Sequence, residues 1–331
     1  MAKPSVSGKL ASIAILSVNT DGEAFIEEFA ESIAKLTYAN YHLIVVDNDS
    51  SDRSLEILHR LQPEATILRN ETNLGFTGAC NRGLLYCLDQ RFDYILFLNN
   101  DLVMEPDCLD QLLAAADGHT MTVPKSYLYH HPGRLDDSVG EFDWLRGVWK
   151  QRILGKVPSA QFDKPRLVES ANLSCLLMPS DLLRTVGLLD ENFFIYYDDT
   201  DYARRAREAG FHLRFVPSAV VHHRKGATIG GSETPFGIYY LTRNRPYLIR
   251  KHVRSRVRRA SFWLYYLSTR LAYFAWLLGR RRPDLAKALV LGIFDYWRGR
   301  MGKTVERDHW PSGIENDDPG HRLAKGQHAK T

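Results

Sequence analysis

Five apolar residues, Tyr94 to Leu98, run straight into Asn99-Asn100-Asp101. Such a run without alternation marks a parallel strand covered on both faces. Its carboxyl end is where open α/β sheets hold ligands. Asp101 there is a hard oxygen donor, suited to Mg²⁺ or Mn²⁺ held partly by a ligand's phosphates. A strand followed by an Asn/Asp turn accounts for the same residues. A second polar cluster, Asp47 to Asp52, follows the apolar run Tyr41–Val46. A third, Asp198-Asp199, follows Phe193–Tyr197. A like-charged neighbour and a dry wall both raise a carboxyl pKa, which suits such a pair to acid–base work. Asp201 is explained by pairing with Arg204 or Arg205 one helical turn on. His222 and His223 end a short apolar segment, where a ring nitrogen can hold a metal, though a packed or solvated histidine is the commoner case. Gly75 and Gly78 let backbone approach a ligand closely, at the start of a helix whose N-terminus favours anions. No Gly-Lys-Ser/Thr follows them, so the loop is not a Walker A.

These clusters need a scaffold that brings strand ends together. Strands are expected at 12–18, 41–46, 66–68 and 94–98, with helices at 23–36, at 54–61 and after the glycine loop. The β-α-β-α-β-α-β order predicts a parallel, doubly wound sheet. No GxGxxG follows the first strand, which argues against a standard dinucleotide site. Further on, a helix is expected at 106–117, a strand at 120–124 and a variable loop with short strands at 126–166. A strand at 168–178, a helix at 179–186, a helix from Asp198, and strands at 212–216 and 220–223 complete the pattern. Residues 235–253 read as an irregular helix broken near Pro246.

With 331 residues, 44% hydrophobic and 25% charged, the chain has the composition of a soluble globular protein of one large or two smaller domains. A formal charge of +4, from 43 basic and 39 acidic residues, is too small to imply nucleic acid. Its distribution is uneven: between Arg243 and Arg282 basic residues are dense and acidic ones absent. That patch points to an anionic partner such as a membrane surface, a lipid phosphate or a nucleotide. Within it, Phe262–Leu278 is the most hydrophobic stretch, yet short for a membrane span. An in-plane interfacial helix and a core helix packed on 284–298 both fit. From Gly302 the chain is polar and a disordered tail is expected. Cys80, Cys87, Cys108 and Cys175 form no CxxC pair and read as reduced cytosolic thiols. The N-terminal residues show no signal-peptide h-region.

Six segments in order, VDNDSSD (46–52), NLGFTGACNRG (73–83), FLNND (97–101), GLLDENFFIYYDDTDYARRAREAGF (187–211), VVHHRKGAT (220–228) and YYLTRNRPYLIRKH (239–252), resemble the inverting family 2 glycosyltransferases. The closer likeness is to their rhamnosyltransferase-like branch. The resemblance spans about residues 11–253. It implies a GT-A fold, a Rossmann-like α/β architecture with a mostly parallel doubly wound sheet. The nucleotide-binding half would cover about 11–125 and the acceptor half about 126–253. Amphipathic helices at 254–300 and a tail at 301–331 would follow.

The resemblance also implies roles. Asp47 matches the acid that bonds the nucleotide base, with Asn48 beside it. Asn19 and Asp21 match the turn around the nucleoside, and Gly75, Gly78 and Asn81 the loop over base and ribose. Asn99-Asn100-Asp101 stands where the family has its DxD, Asp101 being the metal-binding acid. Asp199 matches the general base, and His223 the metal-binding histidine, with His222 as the alternative. Thr228 replaces a more usual Ser. Arg243 and Arg245 supply cations for the diphosphate.

The implied activity is inverting transfer of a sugar, best matched by L-rhamnose from dTDP-L-rhamnose, onto a glycan or lipid-linked glycan. It would use a divalent cation, Mg²⁺ or Mn²⁺, at the inner membrane face, with residues 254–300 touching the membrane and no nucleic acid as partner. A sugar-phosphate nucleotidyltransferase and a non-catalytic carbohydrate-binding protein of the same fold are the alternatives. The first would need an N-terminal Gly-rich loop with a basic residue, absent from Leu16 to Gly22.

Overall fold

The computed structural model describes residues 10–150, 153–224 and 234–305. β1 (Ile13–Asn19), β2 (Tyr41–Asp47), β3 (Thr66–Arg69) and β4 (Tyr94–Leu98) alternate with α1 (Ile26–Ala34), α2 (Ser54–Leu61) and α3 (Gly75–Gln90). These four strands are parallel, with Ile13 level with both Tyr41 and Tyr94, and Ile44 with Thr66. Along β1 the side chains alternate between two cores. Ile13 and Ile15 face Phe29 and Ile33 of α1, while Ala14 and Leu16 face Ala79 and Leu84 of α3. Helices cover both faces, so the strand is apolar throughout.

β5 (Leu102–Met104), α4 (Cys108–Ala115) and β6 (Thr120–Leu128) follow. The short strands β7 (Val139–Gly140), β8 (Phe142–Asp143), β9 (Val148–Trp149), β10 (Arg166–Leu167) and β11 (Ser170–Ala171) lie in the region expected to be irregular or just after it. β12 (Cys175–Pro179), α5 (Ser180–Val186), α6 (Asp198–Glu208) and β13 (His212–His223) complete the sheet layer. The nine-stranded sheet runs β10-β13-β6-β12-β4-β1-β2-β3, with β5 added on β13.

Three details differ from the sequence reading. The segment 168–178 is not one strand. Asn172 donates its side chain to Asp137 O and its backbone N–H to Ser138 O, turning the chain before β12. β12 then pairs antiparallel with β4 and β6, so the sheet is mixed although mostly parallel. The two strands expected at 212–216 and 220–223 are one, β13, with an irregularity between Val216 and Val220.

Beyond the sheet, α7 (Pro235–His252), α8 (Arg256–Gly279) and α9 (Pro283–Trp297) pack together. Thr234 caps α7 by accepting from Gly237 N, and Pro235 opens it. Pro246 does not break α7. It leaves the carbonyl of Thr242 without its i+4 donor, and Tyr266 Oη supplies one at 2.8 Å. Residues 301–305 are packed rather than loose: Tyr240 Oη donates to Val305 O at 2.9 Å. The rest of the expected tail, 306–331, lies outside the described residues, as does Thr228. All four cysteines are buried and unpaired.

Candidate active site

Hydrogen bonds join the polar clusters along the carboxyl edge of the sheet. Asn19, level with Asp47 at the ends of β1 and β2, is fully buried. Its Nδ2 lies 3.3 Å from Asp47 Oδ1, 2.9 Å from Ser50 Oγ and 2.8 Å from Ser54 Oγ. Its Oδ1 accepts from Asn100 Nδ2 at 2.7 Å. The ends of β2, β1 and β4 are thus one network. Asp47 is fully buried, yet its Oδ2 accepts no hydrogen bond and has only the Arg69 guanidinium at 3.8 Å. A buried acceptor left open is costly and points to a ligand donor.

The neighbouring residues brace this edge. Asp21 takes a left-handed φ of 48° and its Oδ1 accepts from Ser51 N at 2.8 Å. Asn48 Oδ1 accepts from Asn70 Nδ2 and Leu74 N, and its Nδ2 donates to Asn73 Oδ1, which fixes the approach to α3. Gly75 has φ +74°, and a Cβ there would lie 2.2 Å from the Phe194 ring. Its close approach is therefore to this chain's own 193–197 segment. Asn81 likewise holds that region: Nδ2 reaches Leu189 O and Glu191 Oε1, and Oδ1 accepts from Leu189 N. A Cβ at Gly78 would crowd Leu74 at 2.9 Å. Asn99 is held through its backbone N–H, which donates to Ser174 O at 2.8 Å.

Pairing of β5 with β13 sets Leu102 beside His223 and so brings Asp101 to the histidine. His223 Nε2 is 3.4 Å from Asp101 Oδ1, and its Nδ1 is 2.7 Å from Asp136 Oδ2. Asp101 is buried and its Oδ1 makes no hydrogen bond. Burial alone would lower the His223 pKa, but the Asp101 and Asp136 carboxylates outweigh it and hold it at about 10. With no cation bound, the two carboxylates favour the protonated ring; a divalent ion would take the place of its Nε2 proton. His222 alternates to the other side and meets Glu105 at 2.9 Å, so His223 is the histidine at Asp101.

Among the described residues no group of three or more His, Cys, Asp or Glu side chains is arranged to hold a metal ion by itself. Two protein donors, one of them an orphaned carboxylate oxygen, fit a divalent ion that keeps phosphate and water ligands. Asp136 escaped the sequence reading. It sits in the 126–166 stretch, and nothing local shows that it orients a histidine 87 residues away.

The acid pair opens α6 after a strained turn. Phe194, Tyr196 and Tyr197 have φ of 64°, 63° and 69°, unfavourable for aromatic residues. Asn244 holds that turn, donating to Phe193 O, Ile195 O and Tyr196 O at 2.9, 2.7 and 3.2 Å. Arg243 is fully buried beside it. Its Nε donates to Asn244 Oδ1, Nη1 to Gly302 O and Thr304 Oγ1, and Nη2 to Asn192 O and Phe193 O. All five N–H groups are engaged. The expectation that Arg243 meets a diphosphate is therefore corrected: it is a structural clamp. Arg245 is also turned inward, bonding Arg146 O and lying over Tyr265 and Tyr266.

Thr77 N donates to Phe194 O at 3.3 Å, tying the strained turn to the first turns of α3. Asp198 is buried, and burial together with Asp199 pushes its carboxyl well up. Asp199 is half-buried; burial raises its pKa to about 6, against the bonds it accepts from Thr200 N and Oγ1. Asp201 goes the other way. Burial would raise it, but His252, Arg205 and Lys251 outweigh that and hold it at about 2. Three neighbouring carboxyls thus divide into two weak acids and one fixed anion.

The sequence profile of glycosyl transferase family 2 matches residues 12–161. The chain is 25% identical over 246 residues to the N-acetylglucosaminyl-diphospho-decaprenol L-rhamnosyltransferase of Mycobacterium tuberculosis, covering 65% of this chain and 77% of that one. It is 23% identical over 282 residues to the dTDP-rhamnosyl transferase RfbF of Shigella flexneri, covering 82% and 90%. The mannosyltransferase PcManGT from Pyrobaculum calidifontis, solved with GDP-Man and Mn²⁺, superposes with a TM-score of 0.55 at 13% identity over 88% of this chain and 89% of that one. GalNAc-T7, solved with UDP, GalNAc and Mn²⁺, gives 0.55 at 17% identity over 72% of this chain and 48% of that longer one. With the parallel strand ends, the acid–histidine pocket and the acid pair in place, the chain is a GT-A glycosyltransferase similar to rhamnosyltransferases, its residues 12–161 matching glycosyl transferase family 2.

Proposed function

We propose that this glycosyltransferase moves L-rhamnose from dTDP-L-rhamnose, with inversion, onto a hydroxyl of a lipid-linked glycan, with Asp199 as the general base. The observation that carries the reading is the half-buried Asp199, its pKa raised to about 6 beside the buried Asp198. A base of that pKa is ionised at neutral pH and still takes a proton readily. The sugar and the acceptor rest on the printed names of the Mycobacterium and Shigella relatives.

In this reading the open Oδ2 of Asp47 accepts from the nucleotide base, and Asn19 fixes that carboxylate through its other oxygen. Asp101 and His223 would hold the divalent cation, with Asp136 orienting the ring. The ion supplies charge neutralisation for the departing diphosphate. Asp199 receives the acceptor's hydroxyl proton as the oxygen attacks the anomeric carbon from the face opposite the leaving group. One base and no covalent intermediate suffice, and inversion follows.

The test is incubation with dTDP-L-rhamnose, Mn²⁺ and a polyprenyl diphosphate-linked N-acetylglucosamine. Proton NMR of the product reads the new linkage. An inverted rhamnoside supports the proposal. Retention would remove the single-base mechanism, and transfer only from UDP- or GDP-sugars would remove the donor.

A further inference from the structure

α8 has two unlike faces. Phe262, Tyr266 and Leu277 are buried against the rest of the fold. On the opposite side Val257, Leu264, Leu271 and Leu278 recur every seven residues and are 79%, 77%, 72% and 50% exposed. At about 100° per residue that spacing drifts only about 60° over the four positions, so they form one stripe. Leu267 borders it, also exposed. From Val257 to Leu278 the stripe is about 32 Å long. Scattered exposed aliphatics are ordinary, but a continuous row this long marks an interaction surface.

Arginines crowd both ends of the helix, and a tryptophan lies near each end off the leucine stripe. Near the start of α8, the exposed Trp297 of α9 stacks on Trp263 at 5.1 Å. At the other end the exposed Trp276 lies 5.1 Å from the Arg280 guanidinium. Arg254, Arg256, Arg258 and Arg281 form no ion pair with a carboxylate among the described residues. No acidic residue occurs anywhere from Arg243 to Pro283.

That charge pattern decides between occupants. A seven-residue repeat also suits pairing with a second copy. Pairing α8 with α8, parallel or antiparallel, would set arginines against arginines with no acid to offset them. A surface of lipid phosphates reverses the sign. Aliphatic side chains then enter the acyl boundary and arginines meet phosphates. No helix among the described residues is long and apolar enough to cross a membrane, so the contact is in-plane.

We propose that the outer, leucine-bearing face of α8 is the surface by which this protein lies on an anionic phospholipid bilayer. The inference stands apart from the donor and acceptor assigned above.

The test is co-sedimentation of the full chain with vesicles of phosphatidylglycerol and phosphatidylethanolamine, and with phosphatidylcholine vesicles. Binding to the anionic vesicles is expected, at least tenfold stronger than to the neutral ones and weakened by salt. The double variant Leu264→Glu, Leu271→Glu should lose at least tenfold in anionic-vesicle affinity while keeping its thermal melt and its donor hydrolysis. Arg254→Gln with Arg258→Gln should weaken binding to anionic vesicles only. Equal binding by wild type and the leucine variant, or no binding by either, overturns the proposal. So does a dimer in sedimentation velocity that the leucine variant dissociates without any change in vesicle affinity; that would make a second copy the occupant.

Discussion

Asp199, the base in the reading proposed above, sits close to a carboxylate held in a fixed ion pair. It shares a helix turn with Asp201, yet the two are held at about 6 and about 2. The difference is partners: Asp201 has Arg205, His252 and Lys251, whereas Asp199 has a neutral threonine and an acidic neighbour. A carboxyl whose folded pKa exceeds its unfolded value binds protons more tightly when folded. Its ionisation therefore costs stability as pH rises from about 4 through 6. Asp199→Asn should lower transfer by about 10²- to 10⁴-fold and leave donor affinity unchanged. At pH 7.5 it should melt at a higher temperature than the wild type, an advantage that disappears below pH 4. The wild-type rate should climb with pH through an apparent value near 6 that belongs to the Asp198–Asp199 pair. A rate flat from pH 5 to 8 with chemistry limiting would remove the assignment. Asp136 would act through His223, whose Nδ1 it holds at 2.7 Å. Asp136→Asn should weaken Mn²⁺ binding about 10- to 100-fold, read by the Mn²⁺ EPR signal, with nucleotide binding in metal-free buffer untouched.

Between residue and fold lies the 193–197 turn, where three aromatic residues adopt φ near +65°. Nothing in that backbone favours itself; the conformation persists because α7 holds its carbonyls. Asn244 serves three of them and Arg243 one of the same three and Asn192 O. Asn244→Ala leaves those carbonyls with fewer donors and should cost about 2–4 kcal/mol by urea unfolding. In protein that still folds, kcat should fall while donor affinity holds, since the acid pair follows the turn directly. Tyr266→Phe tests the same helix differently. It removes the donor to Thr242 O opposite Pro246 and should cost about 1–2 kcal/mol. These dependencies explain what was legible in the sequence. The clusters after β1, β2 and β4 could be read because strands covered on both sides are apolar throughout and stop abruptly at polar residues. The acid pair was visible for the same reason. Arg243 was read as a phosphate ligand because its charge is local information, whereas the carbonyls that enclose it come from 192–193 and 302. Asp136 was missed because only the pairing of β6 with β13 brings it to His223.

At the scale of the whole molecule, the carboxyl edge of the sheet joins two half-sites through one buried amide. Asn19 reaches Asp47 on one side and Asn100, next to Asp101, on the other. Each outer acid keeps one buried oxygen without a hydrogen bond. Two orphaned acceptors in a rigid frame are expected to take different parts of one ligand: a donor N–H at Asp47, and a cation at Asp101 that a diphosphate completes. Ligands that bind only the folded chain raise its melting temperature according to RT ln(1 + [L]/Kd), about 2.7 kcal/mol at a hundredfold excess over Kd. Because the diphosphate would share the cation with Asp101 and His223, Mn²⁺ and a dTDP-sugar together should stabilise by more than the sum of their separate effects. Asp101→Asn should erase that extra increment and leave the shift from nucleotide alone. Asp47→Asn should cut the nucleotide shift with or without Mn²⁺. Differential scanning fluorimetry over this grid separates the two halves. Identical losses from both variants, or additive shifts in the wild type, would mean that the two acids do not hold one donor between them.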